Sequence, residues 1–275
     1  MGTQDVVIRP YGVHKVDDAE VAVAEQGAQV VARVGAVLRV LSAAAGTPVA
    51  TSRVAEATGL TRPTAHRLLS ALAGEGLVDR DASGGWVLGP EAYILGAVAA
   101  DRYDITELAR DAVRAVAHAT GESAFLSARR GDESVCLLRE EGSFPIRSHV
   151  LYEGIRFPLG VASAGLAMLA MLPEAEREAY LARADLVADW GPAHAAAPLR
   201  ARLAAGRAAG YVVNPGLIVE GSWGMAAAVF DAAGRPAWAL SATGVESRFG
   251  PDRQGEIGRV LLEQAHAVTQ RVRAR

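Results

Sequence analysis

The stretch from Arg53 to Leu88 constrains the fold more than any other part of the chain, because its punctuation fixes the order and size of four elements. Ser52 reads as an N-cap for a short helix over Arg53 to Thr58, and Gly59 stands where a glycine commonly closes a helix in the left-handed conformation. Two residues later Thr61 is placed to cap a second helix, Arg62 to Gly74. Pro63 lies in its first turn, where a missing N–H costs little, and Leu68, Leu69 and Leu72 point inward. Two short strands follow, Leu77 to Asp81 and Trp86 to Leu88, separated by a glycine turn at Ala82-Ser83-Gly84-Gly85. A further helix precedes the set, from Val30 to Ala45, with Gly46-Thr47-Pro48 as its stop. Helix, short helix, tight turn, helix and hairpin, in that order, is the plan of a winged helix-turn-helix.

That plan predicts a reader of double-stranded DNA. The second helix of the pair would enter the major groove and present Thr61, Arg62, Thr64, His66 and Arg67. Arginines there can grip phosphate or fork onto a guanine edge, and threonines can bond phosphate or touch a thymine methyl. Arg53 borders the same surface, and Arg80 and Ser83 of the hairpin would reach the flanking backbone. The spacing alone also fits an ordinary three-helix packing unit with solvated arginines.

Charge supports the DNA reading only after division. The whole chain carries a net charge of -3. Residues 1–27 balance to about -3, residues 28–90 to about +2 and the remainder to about -2. Only the middle segment is basic. At 275 residues, 51% hydrophobic and 21% charged, the chain has the composition and length for two globular units. The longest apolar runs fall short of the roughly 20 residues that a membrane span needs, and Met1 to Lys15 lacks a signal-peptide pattern, so a cytoplasmic protein with no membrane partner is expected. The single cysteine, Cys136, excludes an internal disulfide and a cysteine zinc cluster.

The expected organisation is a loose tail at 1–27, the winged helix-turn-helix at 28–90, a linker helix at 91–104 and an α+β unit at 105–275. In the last, helices are expected at Ile105 to Thr120, Ser163 to Leu172, Pro173 to Ala184, Pro198 to Ala209 and Asp252 to Arg273. Strands are expected at Ala124 to Ala128, Ser134 to Arg139, Pro145 to Val150, Met225 to Asp231 and Trp238 to Thr243.

Several blocks resemble the IclR family of bacterial transcription regulators. They are Val31 to Leu38, Val54 to Leu60, Thr64 to Leu72, Gly84 to Gly89, Pro158-Leu159, Gly210-Tyr211, Ala226 to Asp231 and Leu240 to Gly244, and the resemblance spans residues 30 to about 270. It implies a GAF-like effector-binding domain, dimers that can pair into tetramers on DNA, and control of a catabolic or metabolic operon, often by repression. It also implies an effector site, which in this family takes small carboxylates. Carried over position by position, that site comprises Ile146, Ser163, Ala164, Asn214, Ser222, Gly224, Ser241 and Thr243, with Trp223 beside it. Free N–H groups at a helix N-terminus attract an anion, and hydroxyls can complete the bonding, so the chemistry agrees with the placement. The sequence departs from the family where Asn214-Pro215-Gly216-Leu217 replaces an acidic run and Gly224 replaces a cysteine. Less acid and more room imply a carboxylate larger than glyoxylate or pyruvate, including an aromatic one walled by Trp223 or Phe157.

An enzyme is the main rival. Ser163 and Ser222 both lack the first glycine of a Gly-x-Ser-x-Gly elbow, and Glu263-x-x-His266 is a single copy of a motif that needs two to hold a pair of metals. No catalytic residue, metal or cofactor is expected. A sensor acting through protein contacts, with a degenerate DNA-binding domain, is the other alternative.

Overall fold

The computed structural model describes residues 25–44, 46–100, 105–145 and 150–275. They divide into two compact units, with the boundary between Tyr103 and Asp104. Most of the tail, residue 45, residues 101–104 and the middle of the strand expected at Pro145 to Val150 lie outside the described residues.

The first unit opens with α1 (Glu25–Ala43), then α2 (Thr51–Thr58) and α3 (Arg62–Gly74), the hairpin β1 (Val78–Arg80) and β2 (Trp86–Leu88), and α4 (Pro90–Ala100). Its core takes Val37 and Leu41 from α1, Val54 from α2, Leu69 and Leu72 from α3, Val78 from β1 and Trp86 from β2. The start of α2 corrects the expected cap. Ala50, extended at φ −68°, is the N-cap and offers no side-chain bond, while Ser52 already lies inside the helix. The chain reaches α2 by an antiparallel bridge between Val49 and Trp86, whose backbone groups exchange two hydrogen bonds of 2.9 Å. That bridge fixes the entry of the helix more firmly than a serine cap would. Gly59 closes α2 at φ 66°, and its N–H bonds the carbonyls of Ala55 and Glu56, as expected of a left-handed terminus.

In the second unit, six antiparallel strands run in the order β5-β4-β3-β8-β7-β6. They are β3 (Ser123–Arg130), β4 (Glu133–Glu140), β5 (Arg156–Pro158), β6 (Tyr211–Pro215), β7 (Ser222–Phe230) and β8 (Pro236–Val245). One face is covered by α5 (Ile105–Thr120) and α10 (Pro251–Arg273), the other by α6 (Ser163–Met171), α7 (Glu174–Arg183) and α9 (Ala196–Ala209). Strand alternation sorts the side chains: Leu126, Met225, Ala227, Leu240 and Ala242 enter the first core, and Phe125, Val212, Ala226 and Ala239 the second. Helix α6 is buried on all sides, which explains its uniformly apolar, small-residue sequence. Cys136 lies in the second core with its thiol pushed up to about 12 by burial, so it behaves as a small hydrophobe.

Four elements went unanticipated. The edge strands β5 and β6 are short, and β6 ends on Pro215, which an edge tolerates because one side of the strand has no partner to receive an N–H. Between α7 and α9 lie α8 (Val187–Trp190) and a 3-10 turn at Pro192–His194. There the His194 ring sets Nδ1 2.7 Å from the Trp190 carbonyl, so Nδ1 carries the proton and donates.

Burial is the chief cause that holds His194 below its ordinary value of 6.5, with help from Arg202 and against the carbonyls of Trp190 and Val161. Between that lowered value and 6.5 the unfolded chain binds more protons than the folded one. The stabilisation from the neutral ring is therefore fully present above pH 6.5 and is lost as pH falls through the folded value. Urea midpoints of the second unit should fall on going from pH 7.5 to 5.5, and the His194→Gln protein should show a flatter profile over that window.

Candidate functional site

The candidate DNA-contacting side chains lie on the surface of α2, α3 and the hairpin, all exposed except the half-buried Thr64. Thr61 caps α3 by accepting from the Thr64 N–H at 3.4 Å, and the two hydroxyls lie 2.9 Å apart. Arg62, His66 and Arg67 are exposed on the same helix, while Ala65, Leu69 and Leu72 form its buried side. Among the described residues neither Arg62 nor Arg67 has an acidic partner. Arg53, by contrast, is paired with Glu56 at 2.8 Å, one turn along α2.

Trp86 organises this surface. It is 3% exposed, and its indole N–H donates to the Thr51 hydroxyl at 2.9 Å. The Arg80 guanidinium lies 4.5 Å from the centre of its ring, and the His66 imidazole meets it edge-on at 6.3 Å. One indole therefore ties the start of α2, the outer side of α3 and the hairpin together. At the hairpin tip the Asp81 carboxylate accepts from the Ser83 N–H, the Ser83 hydroxyl and the Gly85 N–H, chiefly through the Ser83 hydroxyl, and is held below the usual carboxylate range. Ser83 thus stabilises the wing through its hydroxyl and presents its exposed side beyond it.

In the second unit a cavity of about 20 Å3 lies at the N-terminal end of α6. It is built by a row across the sheet: Asn214 on β6 pairs with Gly224 on β7, which pairs with Thr243 on β8, which pairs with Ser123 on β3. Ser163 opens α6 directly above this row, and no side chain caps the helix there. The closeness depends on Gly224, because a Cβ at that position would stand 2.9 Å from the Ser163 Oγ and 3.4 Å from the Thr243 Cγ2. Val150, Leu151, Ala162, Ile218, Ser222 and Trp223 complete the lining.

Two buried polar atoms of the lining, Asn214 Oδ1 and Thr243 Oγ1, have no hydrogen-bond partner among the described residues. Such groups cost free energy unless something bonds them, and a cavity edged by them and by a helix N-terminus suits a small polar or anionic molecule. Six of the residues expected at the site, Ser163, Asn214, Ser222, Trp223, Gly224 and Thr243, line the cavity. Ser241 is fully buried two residues before Thr243, and its hydroxyl is also without a partner. Ala164 follows Ser163 into the buried helix, and Ile146 lies outside the described residues. Phe157 is not a wall: it packs against Trp190 at 5.5 Å between ring centres and belongs to the core. Sequence reasoning missed Val150, Leu151, Ala162 and Ile218 as lining residues.

No metal-binding group of three or more His, Cys, Asp or Glu occurs among the described residues. On α10, Glu263 bonds Arg259 at 3.1 Å and His266 faces Gln270. Nor does any described helix have the length and apolarity to cross a membrane.

A helix-turn-helix with a wing, followed in the same chain by an α/β unit whose small cavity has apolar walls and a few buried polar groups, defines a ligand-responsive transcription regulator. The chain belongs to the IclR family: residues 30–82 match the IclR helix-turn-helix domain, and residues 97–270 match the bacterial transcriptional regulator IclR C-terminal domain. It is 29% identical over 248 residues to the HTH-type transcriptional repressor AllR of Klebsiella pneumoniae, covering 90% of each chain. A crystal structure of an IclR-type regulator from Alicyclobacillus acidocaldarius is similar with a TM-score of 0.72 and 26% identity, over 89% of this chain and 98% of that one. An IclR homologue from Microbacterium hydrocarbonoxydans, crystallised in complex with 4-hydroxybenzoate, is similar with a TM-score of 0.70 and 26% identity, over 90% and 100%.

Proposed function

We propose that this protein is a repressor of a catabolic operon that binds its operator as a dimer and changes its grip on DNA when a small carboxylate occupies the cavity beneath α6. The observation that carries the effector half is the buried Thr243 hydroxyl, without a partner among the described residues, beside the uncapped N-terminus of α6, both of which can donate to a carboxylate. The repressor sign follows the similar AllR, and an acid ligand follows the 4-hydroxybenzoate complex of the Microbacterium homologue. With about 20 Å3 the cavity holds a water-sized group. An acid of several carbons therefore enters by shifting the apolar walls, Val150, Leu151 and Ile218, and this movement is how occupancy is felt outside the site.

Dimerisation has a surface on the first unit. Helix α4 exposes Tyr93, Ile94, Leu95 and Val98, with Tyr93 78% exposed, a run of large apolar side chains that a second copy would cover. Two copies on a two-fold operator would present two α3 helices to successive major grooves.

Arg67 tests the DNA half. Arg67→Ala should weaken operator binding by about 1–3 kcal/mol if the guanidinium forks onto a base, or lower the salt slope by about 1 if it holds a phosphate. Anisotropy titrations at several salt concentrations distinguish the two, and unchanged affinity together with an unchanged slope would remove Arg67 from the interface.

A further inference from the structure

Asn214 sits in the cavity in only one sensible orientation. Its side chain is 4% exposed, and Nδ2 donates to the Val161 carbonyl at 2.6 Å. Rotating the amide would put two carbonyl oxygens face to face at that distance, so the contact fixes Oδ1 as the atom without a partner among the described residues, on a side chain that lines the cavity. An amide oxygen only accepts. It repels a carboxylate or a keto oxygen and is satisfied only by a donor. The other polar elements of the cavity point the opposite way: the first N–H groups of α6 are donors without intrahelical acceptors, and the Thr243 hydroxyl can donate to an anion. The cavity is about 20 Å3, so the donor and the acceptor of a ligand must lie on neighbouring atoms.

Resting on the effector-pocket reading above, we infer that Asn214 is a specificity residue that selects 2-hydroxy acids over the corresponding 2-keto acids. The carboxylate lies against the α6 N-terminus and Thr243, and the adjacent hydroxyl donates to Asn214 Oδ1. A keto acid brings an acceptor to the same place and leaves Oδ1 buried and unpaired. Leaving a buried acceptor unpaired costs enough for a preference of about 10- to 100-fold.

The test is calorimetric titration of the full-length protein with two matched pairs, lactate against pyruvate and mandelate against phenylglyoxylate, repeated on Asn214→Leu and Gly224→Val, with circular dichroism melts to establish folding. The expected result is at least a tenfold preference for the hydroxy acid in one pair or both. Asn214→Leu should reduce that ratio to within about twofold, and Gly224→Val, whose side chain fills the space below Ser163, should abolish binding of every acid. A purely structural role for Asn214 would weaken both members of a pair alike and leave the ratio standing, which overturns the inference. Equal binding of hydroxy and keto acids by the unaltered protein overturns it too, while loss of both in Gly224→Val would keep the pocket itself. If no acid binds, or binding survives in folded Gly224→Val, the pocket reading fails and takes this inference with it.

Discussion

Replacing Trp86 with alanine is expected to unfold the first unit and abolish operator binding, while acid binding by the second unit persists. The indole is the largest buried side chain of a core that otherwise consists of Val37, Leu41, Val54, Leu69, Leu72 and Val78. Truncating a buried tryptophan costs about 3–5 kcal/mol, and a core this small has little to spare. The substitution also removes the bond to Thr51 and the faces on which Arg80 and His66 rest, so the wing loses its register with α3. Trp86→Phe keeps most of the buried area and loses the indole bond, for a cost of about 1 kcal/mol. Thermal melts followed by circular dichroism should show the contribution of the first unit to the transition vanish in the alanine protein. A normal melt with normal DNA binding would mean that the hairpin is not held through this residue.

The second large effect is expected at Glu122, which is 2% exposed and bonds the Arg248 guanidinium, with Arg253 3.6 Å away. Both arginines also donate to the Thr120 carbonyl, and Arg248 lies 4.1 Å over the Phe144 ring. This cluster joins the start of β3 to the 3-10 turn at Glu246–Arg248 and to the first turn of α10. Glu122→Ala leaves two partly buried cations around a missing carboxylate, and breaking a buried pair in this way costs about 3–5 kcal/mol. Glu122→Gln keeps an acceptor for Arg248 and should cost less. Urea unfolding of the second unit should report both losses as lower midpoints at unchanged slope. An unaltered midpoint in Glu122→Ala would show that solvent replaces the carboxylate without penalty.

Legibility followed the range of the forces involved. Thr61, Pro63 and Gly59 act within a few residues of themselves, so α3 and the end of α2 were readable. The start of α2 was not, because the pairing of Val49 with Trp86, not a local cap, sets it. Helix α6 announced itself by composition, and β7 and β8 as two strands flanking Ala232-Ala233-Gly234-Arg235-Pro236. The edges β5 and β6 are three and five residues long, too short for a period to emerge. The cavity residues were named through resemblance to the family and not through spacing. What Asn214 does there depends on the Val161 carbonyl, which no pattern around residue 214 reveals. The Glu122 to Arg248 pair, 126 residues apart, is likewise a product of the sheet closing on itself.

The most direct test of the central claim is a fluorescence-anisotropy titration of the full-length protein against the DNA upstream of its own gene, with excess nonspecific competitor at fixed salt, run with and without saturating hydroxy acid. The account predicts a saturable, competitor-resistant complex whose midpoint moves about 5- to 150-fold when the acid is present. Binding that competitor removes and that the acid leaves unchanged would contradict it.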